Sequence, residues 1–379
     1  MRSVLTLFGI VVAANCGAQT REPLKVQTGN YEISVRLPPD GLHAGEESEI
    51  EFHIADMSQV DPVLGPTPLI RSDVEATISM PTMLGMPRFR EKAHVEGVPG
   101  DYGIHPTFAH GGEFELLLVV KPLSGKPFSA MPLPVGDVQS ARNHKRVPPA
   151  FRMELASVPK SPKAGEPAVL QLTFRRRESA KEALTDFDVA HERLVHLIVV
   201  RDDLSTFAHI HPDMKPGGVF RVSYTFPTGG EYHLFADVAP KGAGSQILSI
   251  SIKASGKAGE RFTLVEAPAN STTDGDLAVT LRSSGTIPAA KTLPVTFQLK
   301  GAITGKPPVG MERYLGAKGH LLMVGQDATT FVHSHPDETD TPGQVTFLTR
   351  LPKPGLYRAW AQFQRNGVVH TASFILRAE

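Results

Sequence analysis

The chain has 379 residues, room for two to four domains of ordinary size. Lysine plus arginine equals aspartate plus glutamate at 39 each, so no net field draws nucleic acid or an anionic membrane. Glycine (34) and proline (32) are plentiful and long helix-period stretches are missing, which points to an all-β protein of many short strands.

Taken in order, the chain opens like a secretory leader. Arg2 precedes an apolar run over 4–14 and small residues through Ala18, so residues 1–18 are expected to be a signal peptide. The single cysteine, Cys16, falls inside it; lipidation there would make the protein a lipoprotein, but Asn15 fits that signal poorly. The mature chain is then expected to have no disulfide, thiolate ligand or cysteine nucleophile. No later apolar run approaches the roughly 18–20 residues of a membrane span. A periplasmic or secreted location follows.

Residues 25–138 form a first strand-rich unit, with alternating runs YEISVRL, ESEIEFHIAD and DVEATISMP and a buried-strand pattern in FELLLVV. It carries Met80, Met83 and Met86 in SMPTMLGMP, with His94, His105 and His110 downstream. Thioethers favour Cu(I), although methionine also serves as core filler. A basic, proline-containing linker follows at 139–149. The second unit (150–267) and the third (268–379) match each other: VFRVSYTFPTGGEYHLFADV corresponds to QVTFLTRLPKPGLYRAWAQF, aligning Tyr232 with Tyr357 and Phe235 with Trp360. These features predict three tandem immunoglobulin-like or cupredoxin-like β-sandwiches, each within normal domain size.

The most informative stretch occurs twice. HLIVVRDDLSTFAHIHP (196–212) and HLLMVGQDATTFVHSHP (320–336) agree at 9 of 17 positions, including all three histidines and the last proline. Each reads as an antiparallel hairpin. A loop centred between Asp202 and Asp203 would set His196 opposite His209, with His211 on the same face; Gln326 and Asp327 would do the same for His320, His333 and His335. Opposed Cβ atoms lie about 5 Å apart and diagonal ones about 7–8 Å, close enough for three imidazoles to converge on one cation. That face also carries Ile198, Val200 and Phe207, or Leu322, Val324 and Phe331, and so reads as a sandwich core face with histidines at its rim. His370 faces inward on the last strand and is a candidate fourth ligand. His233 and Asp237 share a strand face, but Arg358 and Gln362 replace them in the third unit, which ranks them below the triplets. The opposing possibility is that the histidines only satisfy backbone groups at strand ends.

An enzyme is not expected. His209-Ile-His211-Pro-Asp213 and His333-Ser-His335-Pro-Asp337 mimic the HxHxD of dinuclear hydrolases, but Met214 and Glu338 stand where the next histidine belongs. Neither a Gly-rich phosphate loop nor a G-x-S-x-G elbow is present.

The run YLGAKGHLLMVGQDATTFVHSHP, followed by PGLYRAW and VVHTASF, resembles secreted bacterial heavy-metal-associated exported proteins with a GHL…HxHP signature. Unit two is a more divergent copy, with Val195 where unit three has a glycine before the first histidine. Unit one, through TISMPTMLGMP and VPGDYGIHPTFAHGGEFEL, resembles YtkA-like extracytoplasmic β-sandwich domains. The resemblance implies an immunoglobulin-like fold, an extracytoplasmic location and an association with copper. The sequence thus leads to an extracytoplasmic carrier or buffer of metal ions, copper ahead of zinc, with a metal-free envelope scaffold of docking modules as the alternative.

Overall fold

The period-two runs form strands in the computed structural model, which describes residues 23–62, 65–80, 89–108, 111–130, 133–139, 150–179, 181–241, 243, 245–266, 270–282, 286–336 and 341–379. The leader with Cys16, Met83, Met86, His110 and all but the first residue of the linker lie outside the described residues. Among the described residues no helix is long and apolar enough to cross a membrane. The protein is all-β, a tandem array of sandwiches.

In unit one, a sheet built on Tyr31–Arg36, Ile50–Asp61 and Asp101–Ile104 faces a second built on Asp73–Ser79 and Gly112–Lys121. Their alternate residues, among them Ile33, Phe52, Tyr102, Leu116 and Leu118, meet in a single core. Unit two pairs Phe151–Val158, Pro167–Arg176 and Val219–Thr225 in one sheet; the other holds Phe207–Ile210, Val195–Arg201, Gly230–Pro240 and Gln246–Ala254. In unit three the two layers join into one continuous ten-stranded sheet. The joint is Phe331–Pro336, which pairs with His320–Gly325 through its first four residues and with Gln344–Arg350 through its last two.

The central strands of units two and three are buried on both faces. In Val195–Arg201, Val195, Leu197 and Val199 fill the core of unit two. Ile198 and Val200 instead join Leu204 and Phe235 against Leu322, Val324, Ala328 and Trp360 of unit three. Leu321 and Met323 likewise belong to unit three's own core. The face expected to be the core of each sandwich is therefore the contact face between two sandwiches. A run that is apolar at every position, the LIVV of 197–200, carries no alternation from which to tell the two faces apart.

The contact is pseudo-twofold. Phe207 stacks on Trp360 (4.5 Å, 12°) and Phe235 stacks on Phe331 (5.0 Å, 15°). Since Phe207 aligns with Phe331 and Phe235 with Trp360, these are the same contact made twice. The duplicated hairpins face each other across this axis, and their histidines meet.

Candidate metal centre

Each hairpin is shifted by two residues from the expected register. Ile198 lies opposite His209 and Leu197 opposite Ile210, and Leu322 lies opposite His333. The cause is the turn. Asp327 accepts hydrogen bonds from the amides of Thr329 (2.9 Å) and Thr330 (2.8 Å), and Ala328 sits at φ 52°, moving the bend toward the C-terminus. In the first hairpin Asp203 receives the Ser205 amide and Leu204 sits at φ 59°. A two-residue shift keeps side-chain parity, so the histidines stay on the shared face.

The first triplet converges. His196 Nδ1 lies 3.0 Å from His209 Nε2, and His211 Nε2 lies 3.2 and 3.3 Å from those two atoms. The outer nitrogens fix the tautomers. His196 Nε2 faces the Ala190 carbonyl at 3.0 Å, an atom that can only accept, so this nitrogen carries the proton. Gln362 Nε2 donates to Thr371 Oγ1, which turns Gln362 Oε1 to accept from His209 Nδ1 at 2.7 Å. The lone pairs of His196 Nδ1 and His209 Nε2 are thereby aimed at each other. A proton on His211 Nε2 or a cation in the centre relieves that opposition. Burial, then His196 and His211 nearby, pushes His209 well below the usual histidine range; burial, then His196 and Arg193, brings His211 down to about 3.

The second pair repeats the plan. His320 Nε2 donates to the Tyr314 carbonyl (3.0 Å), His333 Nδ1 donates to Asp237 Oδ2 (2.7 Å), and the inner nitrogens lie 3.2 Å apart. Both His209 and His333 are thus held by the opposite unit, through Gln362 and Asp237 at equivalent positions. Burial opposes the Asp237 charge, yet His333 and the Ser245 hydroxyl hold the carboxyl well below its usual range.

Several sequence expectations change. His370 is not a fourth ligand of this cluster: its Nδ1 donates to the Asp274 carbonyl (2.8 Å) and its Nε2 lies 3.2 Å from Asp276. The backbone of His335 pairs with Leu348, and the placement of its side chain lies outside the described residues. Among the described side chains, the imidazole grouped with His320 and His333 is His191, from unit two. His191 carried no sequence signal, because its counterpart in unit three is Leu315. Asp237 ranks below the triplets in the sequence because Gln362 replaces it in the third unit, and Gln362 itself carries no sequence signal. In unit one, His94 and His105 stack at 4.8 Å beside Glu49, while Met80 packs against that unit's core.

A family model described as a domain of unknown function, DUF8832, matches residues 151–254 and 271–379. The chain belongs to the DUF8832 family. The two matched segments are the two histidine-bearing sandwiches, so the DUF8832 unit is present twice. No curated protein matches the chain. Similar solved structures include the Escherichia coli adhesin FdeC (16% identity, 92% of this chain and 96% of that one, TM-score 0.21). Trypsin-activated α2-macroglobulin from Escherichia coli aligns at 10% identity over 96% of this chain and 24% of that one, TM-score 0.23. Invasin, a bacterial integrin-binding protein, aligns at 15% identity over 91% and 60%, TM-score 0.19. At such TM-scores these likenesses carry no argument about function.

Proposed function

We propose that this DUF8832 protein binds a transition-metal ion, copper ahead of zinc, among His196, His209 and His211, and that it serves outside the cytoplasm as a metal carrier or buffer. One observation carries the reading. Three inner nitrogens separated by 3.0, 3.2 and 3.3 Å would subtend about 94–107° at a cation held at about 2.05 Å, near the tetrahedral angle and with a fourth position open. A donor set of neutral imidazoles suits copper and zinc alike, and the affinity order of divalent ions puts copper first. Gln362 and the Ala190 carbonyl supply the outer hydrogen bonds that orient metal-binding histidines. The location rests on the leader-like residues 1–18.

Calorimetry and elemental analysis of the mature protein with Cu(I), Cu(II) and Zn(II) test the reading. Tight binding that drops at least tenfold in His209→Ala and again in His211→Ala supports it. Binding no tighter than about micromolar for every ion would reject it. That outcome would favour the scaffold alternative, for which the apolar contact around Phe207, Phe235, Phe331 and Trp360 already supplies a rigid junction.

A further inference from the structure

We propose that a second transition-metal ion binds among His191, His320 and His333, at a site to which all three units contribute. The proposal rests on the metal-binding reading of the first triplet, and extends it to a paired centre at the junction of the DUF8832 units.

Unit three provides two ligands. His320 Nδ1 and His333 Nε2 lie 3.2 Å apart, and each ring gives its other nitrogen to an acceptor, the Tyr314 carbonyl and Asp237 Oδ2. Two lone pairs therefore face one another, as in the first triplet. Unit two provides the third ligand. The ring of His191 lies 4.9 Å from that of His320 and 5.8 Å from that of His333, and one nitrogen from each of the three falls within 4.8 Å of the others. This triangle is wider than the first, so binding requires the His191 ring to shift toward the other two.

Unit one sets where that ring stands. His191 occupies the left-handed region (φ 45°), and its amide donates to the Gly97 carbonyl at 3.1 Å. A Cβ on Gly97 would lie 2.8 Å from His191 Nε2, so only glycine leaves the imidazole in place. Behind His333, Asp237 is itself fixed by the Ser245 hydroxyl. A carboxylate polarises the Nδ1–H of His333 more than the neutral amide of Gln362 polarises that of His209, which strengthens His333 as a metal donor. The two ions are therefore held with unequal strength. The outer partner of each site comes from the opposite unit, so loading also ties the two units together.

The test is Zn(II) stoichiometry of the full mature chain by calorimetry and elemental analysis, with folding of each variant followed by far-UV circular dichroism. The wild type is expected to bind two equivalents, His191→Ala or His191→Gln one, and His335→Ala two. Gly97→Val is expected to weaken only the second equivalent, by at least tenfold. Asp237→Asn should weaken it roughly 10–100-fold, the usual effect of losing an outer partner of a ligating histidine. A single wild-type equivalent, lost in His209→Ala, would overturn this proposal and leave the first site standing. Loss of the second equivalent in His335→Ala but not in His191→Ala would overturn it too. No binding at all would overturn both readings together.

Discussion

An imidazole becomes a ligand only when one nitrogen keeps its lone pair, and two backbone carbonyls make that choice here. The carbonyls of Ala190 and Tyr314 each accept a hydrogen bond from the Nε2–H of the first histidine of a hairpin, which leaves the Nδ1 lone pair pointing inward. The same residue-scale logic yields a pH prediction in unit one. Burial and the neighbouring Glu96 push Glu51 up to about 8, against the pull of Arg36, 2.9 Å away. An unfolded glutamate titrates near pH 4.3. The folded pKa lies above the unfolded one, so folding takes up a proton between them, and stability falls as pH rises from about 4 to about 8. The urea midpoint should decline across that window in the wild type and flatten in Glu51→Gln. Parallel pH profiles for the two proteins would refute this account of Glu51.

At the scale of the strands, the two repeats solve one packing problem in two ways. The position before the first histidine is Val195 in unit two and Gly319 in unit three. A Cβ on Gly319 would lie 2.8 Å from the Gln362 carbonyl oxygen and 2.8 Å from the Phe363 ring. The equivalent neighbour of Val195 is Val238, its register partner, which is small enough to admit a side chain. Gly319→Val should therefore cost about 1–3 kcal/mol through overpacking, read as a lower urea midpoint. Adding Phe363→Val should recover part of the loss, and strict additivity of the two changes would show that they do not touch. The difference between Val195 and Gly319 is a volume compensation, visible only once Phe363 and Val238 are known to be the neighbours.

For the whole molecule, the junction between units two and three matters more than any single sandwich. Trp360 is the only tryptophan of the chain and is 3% exposed, stacked on Phe207 of the other unit. Its fluorescence therefore reports the junction alone. Phe207→Ala should red-shift the emission and destabilise the junction by about 3 kcal/mol. An unchanged spectrum would mean that Trp360 is covered without unit two. A bound ion that engages both units should also raise the thermal midpoint, in step with its free concentration over its dissociation constant.

The sequence alone determined the fold class and the duplicated histidine spacing, because period-two alternation and repetition are local properties of the chain. It also kept the histidines on one face, since a register shift of two preserves parity. What that face packs against was decided only by tertiary structure: Ile198, Val200, Leu322 and Val324 meet across the junction and not inside their own sandwiches. The same holds for His191, Asp237 and Gln362, which reach the cluster from the facing unit and differ in residue type from their counterparts in the other repeat. Repetition within a sequence marks what each unit does for itself. The residues one unit contributes to its neighbour are free to differ, and packing brings them to the site.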